Sequence, residues 1–244
     1  MLDLHAHILP GIDDGADTIE ESIQMCEMAY KDGIRTIVAT PHIGKFQNSK
    51  EIILKKTHEL KDELLARQID INLFCGADLE FTAEVLDFAN NNSLVTINNS
   101  RYLLLDIPNS LLPPNVERHI NSLLEKGIVP IISHPERCIQ IQEDLGILYR
   151  VIKLGVVVQI TAASITGKMG SHAESAVLTI LKHNLAHVIA TDTHGINKRP
   201  PVLSEAVNIA SGIIGRDLAL AMVTTNPQNI IDDKPLTLPE PKSL

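Results

Sequence analysis

Tryptophan is absent from this 244-residue sequence, and aromatic side chains make up only 3% of it. Base-stacking platforms for single-stranded nucleic acid need such rings. Positive charge is also scarce. The sequence holds 21 Lys and Arg against 30 Asp and Glu, a formal net charge of −9. Nucleic-acid binding draws on a basic surface, so no nucleic-acid partner is expected. Cysteine occurs three times, at Cys26, Cys75 and Cys138, with no CxxC spacing. An odd count is a poor disulfide framework and suits a reducing compartment. No uncharged apolar run approaches the roughly 20 residues that span a bilayer. The opening Met1-Leu2-Asp3-Leu4-His5 lacks the basic and apolar regions of a signal peptide. A cytoplasmic protein without a membrane span is expected.

The composition that remains, 44% apolar and 21% charged, is ordinary for a folded chain. The length suits one large domain and is usual for a (β/α) barrel. Short β-branched runs alternate with helical patterns throughout. Strands are expected at residues 2–4, 34–39, 69–75, 102–105, 128–133, 156–161 and 187–191. Helices are expected near 18–31, 50–67, 115–126, 172–183 and 201–222, with Thr18 and Glu21 as a capping-box pair at the first. The strands are nearly continuous apolar runs, the mark of a parallel sheet buried on both faces. Seven of them with helices between suggest a barrel or an open doubly wound sheet. Nothing divides the chain, so residues 1–231 read as one domain. Residues 232–244, with Pro235, Pro239 and Pro241, read as a weakly ordered tail.

Metal-type side chains gather at strand ends. The first strand runs into His5-Ala6-His7 and the second into Thr40-Pro41-His42. The third leads to Asp78-Leu79-Glu80, the fourth to Asp106, the fifth to His134-Pro135-Glu136-Arg137 and the seventh to Asp192-Thr193-His194. Only the sixth, ending Gln159-Ile160-Thr161, offers no ligand-type side chain. In a parallel barrel the carboxyl ends of the strands meet on one face, where catalytic groups collect. Imidazoles and carboxylates without thiolates suit Zn, Mn or Fe. There are too many for one ion, which suggests two or three metals sharing a bridging carboxylate, an arrangement suited to phosphoester hydrolysis. His58, His119, His172, His183 and His187 fall on or near helices and are left without a role. The Asp13-Asp14-Gly15 turn follows the HxH pair closely enough to be functional.

Other chemistries fail on spacing. A cysteine phosphatase needs an Arg six residues after its thiolate; Cys26, Cys75 and Cys138 are followed there by Asp32, Phe81 and Asp144. There is no GxSxG elbow, no GxxxxGK[ST] loop and no GxGxxG.

The opening DLHAHILPGIDDGA, the ATPHI, the GADLE, the HPER, the DTH and the RPP beyond it resemble the PHP (polymerase and histidinol phosphatase) superfamily. Within it the sequence looks most like the bacterial manganese-dependent protein-tyrosine phosphatases of capsule and exopolysaccharide operons. That resemblance implies an α/β fold, a distorted seven-stranded (β/α) TIM-like barrel, and two or three divalent ions, manganese first and Fe, Zn or Mg otherwise. It places His5, His7, Glu80 and Asp192 on one metal. Glu80 would bridge to a second, also held by Asp106 and His134, and Asp14, His42 and His194 would hold a third. Arg137 and Arg199 would bind the substrate phosphate, and His42 or His194 could supply a proton. The implied substrate is phosphotyrosine on a protein, in particular the tyrosine-rich tail of a kinase that controls polysaccharide export. The alternatives are a histidinol-phosphate type of small-molecule phosphatase and a non-catalytic metal-binding scaffold. One departure stands out: the subgroup usually carries Glu after strand four, where this sequence has Asp106, one methylene shorter.

Overall fold

The computed structural model describes residues 1–82, 84–90 and 93–243. Among the described residues there are nine strand segments: β1 (Leu2–Ala6), β2 (Thr36–Ala39), β3 (His42–Ile43), β4 (Asn72–Cys75), β5 (Asp78–Glu80), β6 (Tyr102–Asp106), β7 (Val129–Ser133), β8 (Val157–Thr161) and β9 (Val188–Ala190). Every ladder between them is parallel. They form a three-stranded sheet, β1-β2-β4, and a six-stranded sheet, β3-β5-β6-β7-β8-β9. The ladders among the described residues therefore make two parallel sheets, not one closed ring of seven strands.

The two extra segments, β3 and β5, lie just beyond the expected strands 34–39 and 69–75, each after a short break. Pro41 has no N–H to give to a ladder, and the chain leaves β2 at Thr40-Pro41 before resuming as β3. The next break falls at Gly76-Ala77, between β4 and β5. A Cβ at Gly76 would come within 2.7 Å of Ile97 Cδ1, so a larger residue there would have to displace the end of that buried side chain. The two sheets meet where β1 runs alongside the segment after β9. A parallel bridge joins Ala6 and Thr193. The Asp192 N–H donates to the His5 carbonyl (2.9 Å) and the His7 N–H to the Thr193 carbonyl (3.0 Å).

Alternation along the strands explains the continuous apolar runs. Leu4, Leu104, Ile131, Val157 and Val188 belong to one buried cluster. Their neighbours Leu103, Leu105, Ile132, Val158 and Ile189 belong to a second, larger one that includes the helices. Both faces are thus apolar, and each fully buried Leu or Ile contributes roughly 1.5–3 kcal/mol.

Thr18 caps the helix Ile19–Lys31 by accepting from the Glu21 N–H, while the Glu21 carboxylate accepts from Asp17 rather than from Thr18 itself. Asp32, just past that helix, accepts the N–H groups of Leu203 and Ser204 and so starts the helix Ser204–Ile214. The long helix expected to Met222 stops at Gly215 (φ 87°), and Arg216–Ala221 forms a separate one. Beyond the helix Thr225–Ile231 the described residues, 232–243, form no helix or strand, but they are tied down. Asn184 donates to the Glu240 carbonyl (3.1 Å), Lys242 donates to the His183 carbonyl (2.9 Å), and Arg101 pairs with Asp233 (2.9 Å). Leu244 of the expected tail lies outside the described residues.

Candidate active site

The site lies at the carboxyl ends of the strands. His5 belongs to β1 and His7 follows it; both are fully buried, and their Nε2 atoms are 3.0 Å apart. His5 Nε2 lies 3.4 Å from Asp78 and 3.4 Å from Asp192, and His7 Nε2 lies 3.3 Å from Asp192. His42 Nδ1 is 3.4 Å from Asp78 and 3.6 Å from Asp106. Asp14 closes the open side, 3.2 Å from His194 Nε2 and 3.6 Å from His42 Nε2. His134 Nε2 lies 3.4 Å from Asp106.

Two of these residues sit in the left-handed region, His134 at φ 37° and Asp192 at φ 50°. Non-glycine residues are held there only by the surrounding structure, and such strain gathers at functional sites. At Asp192 the two hydrogen bonds to β1 supply the constraint. The loop carrying Asp13 and Asp14 folds tightly over His7. A Cβ at Gly15 would fall 2.1 Å from the His7 carbonyl oxygen, so only glycine lets the loop approach.

Charge is finely divided here. Burial raises the Asp78 pKa in principle, but His5, His42 and His134 outweigh it and hold the carboxyl well below its ordinary value. Asp14 is lowered by its hydrogen bond to His194. Asp106 is pushed up to about 6 by burial and by Asp78, against the pull of Lys45. Burial drives His42 down to about 4, with help from His7. Burial also opposes charge on His7, yet Asp13 and Asp192 prevail and raise it to about 10.

Three groups of side chains each bring their ligand atoms within 4.8 Å of one another: His7, Asp14, His42 and His194; His5, His7 and Asp192; and His42, Asp78 and Asp106. Of the residues singled out from sequence, these groups unite His5, His7, Asp14, His42, Asp106, Asp192 and His194. His134 adjoins them through Asp106. Glu80 belongs to none of the groups; its carboxylate packs at the Gly44 backbone, where a Cβ would meet Oε2 at 2.9 Å. Asp78, two residues earlier on the same strand, occupies the centre instead. Neither Asp78 carboxylate oxygen has a hydrogen bond among the described residues, although the side chain is fully buried. A buried carboxylate left without donors is costly, and divalent ions are the partners that this donor set fits.

Arg137 donates to Asp192 (2.5 Å) and Thr161 (3.0 Å), and Arg199 also donates to the Asp192 carboxylate. Glu136 turns away, accepting from Ser164 (2.7 Å) and the Thr161 N–H (3.0 Å). Lys45, which the sequence did not single out, pairs with Asp106 at 2.9 Å. These cations and the metal-type residues line a polar cavity of about 180 Å³ open to solvent. Asp13, in the turn read from sequence as close enough to the HxH pair to be functional but given no role there, has its carboxylate accept from His7 Nδ1 (2.8 Å), the His42 N–H (3.1 Å) and the Gly15 N–H (3.0 Å). The Asp-Gly pair at 14–15 reads as turn chemistry, which conceals that role.

The chain is similar to known proteins along its length. The tyrosine-protein phosphatase YwqE of Bacillus subtilis is 32% identical over 233 residues, 95% of this chain and 91% of that protein. The tyrosine-protein phosphatase CpsB of Streptococcus pneumoniae is 28% identical over 243 residues, covering 96% and 99%. A crystal structure from work on those two proteins, described as unique metal-dependent tyrosine phosphatases, superposes with a TM-score of 0.95 at 30% identity over 100% of this chain and 99% of the other. The family described as capsular polysaccharide synthesis, CpsB/CapC, matches residues 1–232, and this chain belongs to it.

Proposed function

We propose that this chain is a metal-dependent protein-tyrosine phosphatase acting on a tyrosine kinase that governs capsular or exopolysaccharide synthesis. The observation that carries the reading is the convergence of His5, His7, His42 and His194 with Asp14, Asp78, Asp106 and Asp192 beneath a cavity that also holds Arg137 and Arg199. The parallel strands extend this reading to the fold. With β2 and β3 counted as one broken strand and β4 and β5 as another, we infer a distorted seven-stranded (β/α) barrel, a reading supported by the isolated Ala6–Thr193 bridge between the two sheets.

The three ligand groups suit two or three divalent ions, manganese first among them. Asp78, between His5 and His42, rather than Glu80 would be the carboxylate shared by two of these ions. Ions bound there supply Lewis acidity toward phosphoryl oxygens and a water whose pKa is brought near neutrality. The protein's own groups do the rest. Arg137 and Arg199 present planar guanidinium forks to the phosphate oxygens and neutralise the charge that develops on them. His42 and His194 reach the cavity and stay neutral near pH 7, because burial lowers both. Either can pass a proton at its ring nitrogen, although a phenolate leaving group, with a conjugate-acid pKa of about 10, needs little help. Burial raises the pKa of all three cysteine thiols, so none is a ready nucleophile. No helix among the described residues is long and apolar enough to cross a membrane; the proposed location is the cytoplasm.

The test pairs metal content of protein purified without chelators with hydrolysis of para-nitrophenyl phosphate before and after EDTA. Two or three transition-metal ions per chain and EDTA-sensitive turnover are expected. Metal-free protein with undiminished turnover would overturn the reading.

A further inference from the structure

The two histidines of the HxH pair are clamped from behind by different chemistry. His7 Nδ1 lies 2.8 Å from the Asp13 carboxylate, and His5 Nδ1 lies 2.8 Å from Oε1 of Gln159. Gln159 comes from β8, the one strand whose end carries no ligand-type side chain. Its side chain is fully buried, and its Nε2 has no hydrogen-bond partner among the described residues. Half of a buried amide is thus left unsatisfied so that the other half can meet one ring nitrogen. Leaving such a group unpaired is unfavourable, and a hydrophobic residue would otherwise suit a strand packed on both faces.

The geometry points to Gln159 as a positioning residue for the ion held by His5, His7 and Asp192. An imidazole ligates through the nitrogen that has no proton, so the other nitrogen must carry it and needs an acceptor. Gln159 Oε1 accepts the Nδ1–H of His5. That leaves the Nε2 lone pair facing Asp78, Asp192 and His7. The same acceptor fixes the ring plane. An amide oxygen polarises the imidazole less than a carboxylate does. His5 is therefore the weaker donor of the pair and His7, backed by Asp13, the stronger.

This inference rests on the metal reading of the site, and the experiment separates the two. The full-length chain is stripped with EDTA and titrated with Mn²⁺ by calorimetry, alongside Gln159→Met, which keeps the length and loses the acceptor, and Gln159→Glu, which keeps an acceptor. Far-UV circular dichroism verifies folding. Gln159→Met should weaken one Mn²⁺ equivalent by roughly 10–100-fold and leave the others unchanged. Gln159→Glu should bind that equivalent at least as tightly as the wild type, a rescue that a purely packing role would not produce. If Gln159→Met fails to fold, Gln159→Asn, too short to reach Nδ1, should show the same single-site loss. Unchanged affinity in a folded acceptor-less variant, or weakened affinity in Gln159→Glu, overturns the inference alone. A wild-type chain that takes up no Mn²⁺ overturns the metal reading and this inference with it.

Discussion

Asp78 lies 3.4 Å from His5 Nε2 and 3.4 Å from His42 Nδ1, joining two groups of candidate ligands. Glu80 shares its strand and, two residues on, its side of the pleat, yet rests against Gly44. The pair therefore makes a discriminating experiment. Asp78→Ala should remove at least one ion per chain, measured by elemental analysis. Its turnover should fall by more than the roughly 10–100-fold typical of losing an outer-shell partner. Glu80→Gln should retain its metal and most of its activity. Metal loss in Glu80→Gln with normal metal in Asp78→Ala would reverse the assignment.

That contrast also shows how far a sequence can be read. Histidines and carboxylates at the ends of successive apolar runs are legible, because parallel strands bring those ends to one face. Which of two carboxylates at i and i+2 reaches the centre is not, since both leave the strand on the same side. The structure supplies the answer: Asp78 stands beside His5 and His42, whereas Glu80 rests against Gly44. The roles of Asp13 and Gln159 were illegible for another reason: each meets the far nitrogen of a histidine, and no spacing rule marks such partners. Two short segments beyond the expected strands, β3 after Pro41 and β5 after Gly76, raise the seven expected strands to nine segments among the described residues. Proline signals such a break in sequence; the crowding at Gly76 by Ile97 does not.

Cys26, Cys75 and Cys138 provide a test of the nucleophile. Burial pushes the Cys26 thiol up to about 12, with Glu27 adding to it, and raises the other two. A thiolate is the reactive form, and at neutral pH these sites hold almost none. The triple replacement Cys26→Ala, Cys75→Ala, Cys138→Ala should hydrolyse para-nitrophenyl phosphate at close to the wild-type rate wherever it folds. Loss of turnover in a folded single variant would contradict a metal-assisted mechanism.

His187 gives the metal-free protein a pH dependence that has nothing to do with catalysis. It is 1% exposed, its Nδ1 accepts the Val158 N–H (3.0 Å), and burial lowers its pKa from 6.5 to about 4. The folded state thus resists the proton that the unfolded chain accepts. Stability from this group is complete above pH 6.5 and is lost as pH falls toward 4, by up to about 3 kcal/mol. His187→Gln offers the Val158 N–H an oxygen that does not titrate in this range. Urea unfolding across pH 4–7 should show a shallower acid limb for that variant. Parallel limbs would mean that His187 is not the group responsible.

Arg137 decides between phosphate recognition and a merely structural ion pair. It donates to Asp192 at 2.5 Å and to Thr161 at 3.0 Å, and it borders the cavity together with Arg199. If its guanidinium neutralises phosphoryl charge in the transition state, Arg137→Ala should cost about 2–4 kcal/mol, by analogy with removing one oxyanion donor. Arg137→Lys should recover only part of that, since an ammonium cannot make the planar fork. Metal content should stay constant in both, because a guanidinium is not a ligand. If metal is lost in step with rate, Arg137 acts through Asp192 and the phosphate assignment fails. The same variants bear on substrate class. On a phosphotyrosine peptide, a phosphoserine peptide and histidinol phosphate, the wild type should show its highest kcat/KM with phosphotyrosine, and Arg137→Ala should lower all three by a similar factor, because every substrate presents the same phosphoryl group. A wild-type preference for histidinol phosphate would replace the protein substrate with a small molecule and leave the metal assignment standing.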